Sequence, residues 1–216
     1  MYRYVEDKEF VSRMRSLCGD IMQEFCHILK EDYGIGAIFY LVGSGARNLI
    51  MQNENNPIDL DYNLEIVKCE DYYDYRHIKE SARLAFNKAL NSFGWDDCDD
   101  STSSLTTKKR HFTKGNQTPF SMDVCIVTVD TEGTTHRLIH KKTGWTDKDE
   151  YYWNEAPHSK NIRAKADYIK RNGSWTLVRK EYKDIKNLYL RRNDHNHPSF
   201  ICYIEAVNNV YNAIRQ

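Results

Sequence analysis

The 216-residue sequence has no apolar run near the roughly 18 residues that a membrane-spanning helix needs. Its opening stretch, MYRYVEDKEFVSRMR, is charged throughout and lacks the apolar centre of a secretory signal. A cytoplasmic setting with no membrane partner is therefore the default expectation. No charge of one sign dominates: 31 Lys+Arg stand against 31 Asp+Glu. That balance argues against a protein devoted to non-specific nucleic-acid binding, though it leaves room for a local basic cleft. The six cysteines, Cys18, Cys26, Cys69, Cys98, Cys125 and Cys202, form no C-x-x-C pair. A zinc site is not indicated, and free thiols, several of them buried, are expected. Internal repeats and low-complexity segments are also lacking. The length suits one large domain or two small ones with a sizeable core.

What is present is strong periodicity. Phe10, Met14, Leu17, Ile21, Phe25 and Ile28 recur at steps of three and four and predict an amphipathic helix of some six turns. A short buried strand follows at Ala37 to Val42, then a Gly-Ser-Gly turn and a short helix from Arg47 to Met51, ended by the polar loop QNENNP. From Ile58 to Val67 apolar and polar residues alternate, which predicts a strand with one apolar face. A second helix covers YRHIKESARLAFNKALNSFG, with Gly94 as its stop. DDCDD reads as an acidic loop, STSSLTTKKRHF as a strand, TKGNQTP as a hairpin turn and FSMDVCIVTV as the returning strand. TTHRLIHKK gives one more strand. The aromatic and polar stretch 145–157 shows no clear period and is expected to be an irregular loop. Three helices follow, at 159–172, 174–192 and 198–215, the second opening on Ser174 and the third on Pro198. The order predicts an α+β class: a mixed sheet flanked by helices, followed by a C-terminal helical region, with the division expected at 142/143.

Three pieces of this pattern carry chemistry. The Gly43-Ser44 turn leaves a buried strand and offers backbone N–H groups, a hydroxyl and a helix N-terminus, a combination suited to phosphate, although taken alone such a turn is far more often only a turn or a close backbone packing contact. Asp59 and Asp61 share the polar face of the next strand. Asp123 lies in a Val/Ile-rich strand, where an unpaired carboxylate is costly. If the strands at 58–67 and 120–129 are neighbours, all three carboxylates converge. Hard cations such as Mg²⁺ take oxygen ligands of this kind, and a pair of them can grip both the attacking and the leaving oxygen of an in-line displacement.

The order VGSGARNL, PIDLDYNLEI, SMDVCIV resembles the nucleotidyltransferase superfamily of DNA polymerase beta type. In that family Gly-Gly or Gly-Ser is followed by Asp-apolar-Asp and by a third Asp on a later strand. The segment LVRKEYKDIKNLYLRRNDHNHPSFICYIEAV is similar to the helical region of the cyclic GMP-AMP synthase and bacterial oligonucleotide-cyclase branch. The likeness covers about residues 36–67, 118–128 and 178–207. It implies a catalytic core over 1–142 and a helical region over 143–216 that completes a nucleotide cleft. It implies that Asp59 and Asp61 ligate two Mg²⁺ ions (Mn²⁺ in their place) and that Asp123 holds the catalytic ion and helps deprotonate the acceptor. Gly43 and Ser44 would cradle the phosphates of an NTP, with Lys183 or Lys186, and Ser199, as further phosphate contacts. The reaction implied moves a nucleoside monophosphate from the NTP onto a hydroxyl with release of pyrophosphate. A small molecule or a nucleotide is favoured as acceptor over protein or RNA. A second reading keeps the fold but not the turnover: a silent nucleotide-binding module of a two-component or toxin–antitoxin-like system.

Other residues admit blander readings. His195 and His197 could bind a metal, but also suit a loop at a helix start. His136 and His140 share a strand face with no partner evident in the sequence. Trp145, Tyr151, Tyr152 and Trp153 could stack on a base, or dock a loop onto the core. Lys108, Lys109 and Arg110 form either an exposed hairpin face or part of an acceptor cleft. Arg47 is expected to pair with a local carboxylate.

Overall fold

The computed structural model describes residues 1–157, 161–194 and 198–215. His195 and His197 lie outside the described residues. In chain order the elements are β1 (Tyr2–Tyr4), α1 (Lys8–Tyr33), β2 (Gly36–Leu41), α2 (Gly43–Ala46), β3 (Met51–Asn53), β4 (Ile58–Lys68) and α3 (Tyr75–Ser92). They continue with β5 (Asp99–Asp100), β6 (Leu105–Thr106), β7 (Phe120–Val129), β8 (Thr135–Lys141), a 3₁₀ turn at Thr146–Lys148, β9 (Glu150–Glu155), α4 (Ile162–Arg171), α5 (Trp175–Arg191) and α6 (Ser199–Ala213). Among the described residues no helix is long and apolar enough to cross a membrane.

The chain divides into two compact units. One comprises residues 7–45 and 57–156. It carries a seven-stranded mixed sheet in which β2, β4, β7, β6 and β5 lie side by side; β8 also pairs with β7, and β9 with β8. Among the described residues only the β4–β7 pair is parallel. Its register sets Ile58, Leu60, Tyr62 and Leu64 beside Phe120, Met122, Val124 and Ile126. All eight are buried, so this face of the central strands is the floor of the core. The stripes of α1 (Phe10, Met14, Ile21, Phe25) and α3 (Ile78, Ala82, Phe86) are fully buried with it. α1 begins where the Asp7 side chain accepts from the Phe10 N–H at 2.9 Å. At its other end Gly34, at φ 66°, donates back to the last carbonyls.

The second unit comprises residues 1–6 and 46–56 and the chain from 157 on. Here α4, α5 and α6 surround Ile169, Val178, Tyr182, Cys202, Ala206 and Val207. The β1–β3 ribbon belongs to this unit. Buried Asn187 on α5 acts as a substitute strand for β1. Its Oδ1 accepts from the Tyr2 N–H at 2.7 Å, and its Nδ2 donates to the Tyr2 carbonyl at 3.1 Å. The three C-terminal helices match the expected ones to within a few residues.

Several expectations are corrected. The helix after Val42 is Gly43–Ala46, not Arg47–Met51. Asn48 takes a left-handed φ of 59°, which breaks the run, and Met51–Asn53 extends to pair with Tyr2–Tyr4. QNENNP is therefore partly a strand. The acidic loop contains β5, and the strand expected over STSSLTTKKRHF shrinks to β6 plus a bridge between Arg110 and Phe120. Residues 145–157 are not an irregular loop. β9 runs along the whole of β8, carrying the sheet past the division expected at 142/143. Its aromatics explain the missing period. Tyr151 stacks on His140 at 4.3 Å and Trp153 meets the Tyr75 ring edge-on, while Tyr152 and Trp145 stay exposed.

Candidate active site

β4 and β7 turn their second face away from the core, and the acids lie there. The parallel register makes Asp61 the direct partner of Asp123 and Asp59 the partner of Ser121. Side chains on one face of adjacent strands sit roughly 5 Å apart, so the three carboxylates share one patch of sheet. Asp123 and Asp61 are half-buried and Asp59 is exposed.

Two hydroxyls hold two of these acids. Ser121 Oγ donates to Asp59 Oδ1 at 2.5 Å, and Thr106 Oγ1, brought opposite Asp123 by the β6–β7 pairing, donates to Asp123 Oδ1 at 2.5 Å. Among the described residues Asp59 and Asp123 make no other side-chain hydrogen bond or ion pair. Burial raises the proton affinity of Asp123, the Thr106 bond lowers it and the charge of Asp59 raises it; the net shift is upward.

Gly43 closes the other edge of the patch. Its φ of 62° favours glycine, and a Cβ there would overlap the Asp61 carboxylate. The Val42 N–H donates to the Asp61 carbonyl at 2.8 Å, which ties the turn to β4. Gly45 is needed for packing instead: a Cβ would meet the Leu41 and Leu60 side chains at 3.1 Å. The Arg15 guanidinium donates to the Gly45 carbonyl and braces the turn. The close-packing reading of Gly-Ser-Gly therefore holds at both glycines, against a carboxylate at Gly43 and against leucines at Gly45. Ser44 lies between them, half-buried.

A cleft of about 660 Å³ opens beside the acids, lined by Asp59, Asp123, Thr106, Ser121, Lys108 and Lys109 among others. Lys108 pairs with Asp99, while Arg110 turns away to the Gly94 carbonyl and Asp96. Among the described residues no three His, Cys, Asp or Glu side chains are drawn together as an ion site. Asp59 and Asp123 meet only hydroxyls, so these like charges have no reason to approach. The donor chemistry still fits a hard cation: all the candidate ligands are carboxylate oxygens, and Asp59 and Asp123 each keep an oxygen that no protein group takes.

The remaining candidates belong to other elements. Lys183, Lys186 and Ser199 belong to the helical unit, where Lys186 Nζ donates to Ser199 Oγ at 3.1 Å and lies 4.1 Å from the Tyr2 ring centre. Arg47 lies over the Tyr203 ring at 4.5 Å. His136 and His140 have acidic partners that the sequence did not reveal: Asp130 for the first, and Asp100 and Asp149 for the second. All six cysteines are free thiols. Sequence reasoning passed over Ser121 and Thr106. The only signal was a hydroxyl residue two positions before Asp123 and a Ser/Thr-rich stretch upstream, and neither points at an acid until the register is known.

No family model and no curated protein sequence matches the chain. Solved structures do. CdnC of E. coli MS115-1, solved with ATP, shares 12% identity over 96% of this chain and 62% of its own, with a TM-score of 0.59. The Vibrio cholerae DncV cyclic AMP-GMP synthase, solved with the linear intermediate pppA(3′,5′)pG, shares 11% over 84% of this chain and 64% of its own, at 0.58. The fold is that of the CD-NTases. The CdnE cyclic dinucleotide synthase of Elizabethkingia meningoseptica, solved with GTP and Apcpp, gives 14% over 88% and 68%, at 0.50. At such identities the likeness is one of fold: the nucleotidyltransferase sheet with its flanking helices and the C-terminal helical region. The chain spans only about three fifths of the CdnC and DncV chains.

Proposed function

We propose that the chain is a divalent-metal-dependent nucleotidyltransferase that moves a nucleoside monophosphate from an NTP onto an acceptor hydroxyl and releases pyrophosphate. The observation that carries this reading is the register of Asp61 on Asp123, with Asp59 two residues away and Gly43 backed against Asp61. A CD-NTase fold supports the use of NTPs.

Asp59 and Asp61 would hold two Mg²⁺ ions, or Mn²⁺, and Asp123 one of them. When bound, such ions neutralise phosphate charge and polarise the reacting oxygens. Asp123 would help deprotonate the acceptor hydroxyl. The Gly43 and Ser44 backbone and the Ser44 hydroxyl would hold the triphosphate. The resemblance assigns Lys183 or Lys186, and Ser199, to phosphate contacts, and with these goes the division of labour between a catalytic core and a helical region. Catalysis would rest on positioning and charge neutralisation. The acceptor proposed first is a nucleotide or small molecule, in keeping with the nucleotide complexes of CdnE and DncV.

The test is pyrophosphate release from each NTP with Mg²⁺ across an acceptor panel. Wild-type protein should turn over, and Asp59→Ala and Asp123→Ala should lose about 10²–10³-fold, as loss of a single charge-stabilising group does in other enzymes. Nucleotide binding without release against every acceptor would overturn the enzyme reading in favour of a sensing module.

A further inference from the structure

Thr106 and Ser121 carry no chemistry of their own, yet each is the direct strand partner of an acid: Thr106 of Asp123, and Ser121 of Asp59. Each donates to one carboxylate oxygen of its acid. Ser121 is buried, with 6% of its surface exposed, so its hydroxyl has little water to compete for it. A carboxylate on an exposed sheet face turns easily about its last bond. A hydroxyl clamped on one oxygen removes that freedom and leaves the second oxygen without a protein donor. The two acids would otherwise answer to mutual repulsion, since neither has a cationic partner among the described residues.

We infer that Thr106 and Ser121 are positioning residues, each pinning one oxygen of its acid so that the other is offered to a divalent cation. The inference rests on the nucleotidyltransferase reading and adds to it a division between two hydroxyls. Asp59 is assigned to both ions, so Ser121 governs binding of the metal–nucleotide. Asp123 is assigned to one ion and to the acceptor's proton, so Thr106 governs turnover. Outer-shell groups of this kind cost about 10–100-fold in metal affinity or activity when removed.

The variants are Thr106→Val, which keeps the shape and deletes the hydroxyl, Thr106→Ser, which restores it, and Ser121→Ala. Mn²⁺ affinity is measured by titration in the presence of a non-hydrolysable NTP analogue, alongside KM and kcat for pyrophosphate release and the thermal unfolding midpoint. Thr106→Val is expected to weaken one Mn²⁺ site about 10–100-fold and to lower kcat with KM for NTP little changed, Thr106→Ser returning both to near wild type. Ser121→Ala is expected to raise KM for NTP and weaken Mn²⁺ binding. Wild-type Mn²⁺ affinity in a folded Thr106→Val protein overturns the inference and leaves the enzyme reading standing. A loss in Thr106→Ser equal to that in Thr106→Val also overturns it, because shape would then matter and not the hydroxyl. A wild-type protein that binds no Mn²⁺ with the analogue overturns the nucleotidyltransferase reading, and this inference with it.

Discussion

Asp99 and Asp100 are adjacent on β5 and face opposite sides of the sheet. On the helix side Asp100 meets Lys79 at 3.0 Å and His140 at 2.6 Å, while the far nitrogen of His140 lies 2.9 Å from Asp149. Lys142 adds a second ammonium, 3.6 Å from Asp100. Lys79 is 1% exposed, so this is a buried cluster, and each acid in it faces a nitrogen cation or an imidazole. On the other side Asp59 and Asp123 meet only hydroxyls. A chain that places charge in low-dielectric surroundings must compensate it or lose stability. One cluster is compensated from within. The other is left with charge that a bound cation would balance. The contrast separates acids compensated within the fold from acids that meet only hydroxyls, although both groups belong to the same sheet.

The largest test of the contrast is to remove one acid from each side. Asp100→Ala strands the buried Lys79 ammonium with its nearest acid gone, and breaking such a pair costs about 3–5 kcal/mol. Asp123→Asn removes one of several like charges and should leave the stability unchanged or raise it. Urea denaturation of both variants measures the difference. Equal losses would show Asp123 to be structural as well and would dissolve the distinction.

A smaller effect follows from pH. Burial pushes Asp100 up, but Lys79 and His140 more than offset it, leaving it below the ordinary carboxylate value of 3.8. Its unfolded form then binds protons more readily than its folded form, so its stabilisation is complete above that value and fades as pH falls below it. Asp123 is shifted the other way. Its folded form binds the proton more readily, so it favours folding at low pH and that contribution is lost as pH rises through the interval above 3.8. Denaturation of wild type, Asp100→Ala and Asp123→Asn between about pH 3 and about pH 6 should therefore give difference curves of opposite slope. Slopes of one sign would refute the assignment of the two environments.

The sequence made much of this visible, and the failures have physical causes. The face of β4 was legible because period-2 alternation over Ile58 to Ile66 leaves Asp59 and Asp61 no other side to occupy. Asp123 was legible because the surrounding Val and Ile make a lone acid conspicuous. The chain order of acids and glycine turn then sufficed to anticipate the nucleotidyltransferase-type fold that the solved structures share. The compensated cluster was not legible. Lys79, Asp100, His140 and Asp149 come from α3, β5, β8 and the approach to β9, and no local period links them. β9 hid for a related reason: Tyr151 and Trp153 face the packed side, yet Tyr152 between them is also aromatic, so the alternation of a half-buried strand is blurred. β1 and β3 are three residues each, below the length at which a pattern can register, and depend on Asn187 from a distant helix.

Lys108 offers the smallest effect and the sharpest use of the comparison, because it stands on the uncompensated side yet has a partner. Its ion pair with Asp99 is solvent-exposed, with about half of each side chain in water, and pairs of that kind contribute under about 1 kcal/mol. Lys108→Ala should therefore barely move the urea midpoint. The same lysine lines the cleft beside Asp59 and Asp123, and the sequence left open whether it belongs to an exposed hairpin or to an acceptor site. The two cases separate in kinetics. If an anionic acceptor enters the cleft, loss of one ammonium raises the acceptor KM by a few-fold, leaves the KM for the donor NTP alone, and makes the difference from wild type shrink with added salt, since an exposed charge is screened within about 10 Å at 0.1 M. If the strand is only an exposed face, neither KM moves. An unchanged acceptor KM at low salt would assign Lys108 to the solvent-facing side of the sheet's edge and confine the working part of the cleft to Thr106, Ser121 and the acids they hold.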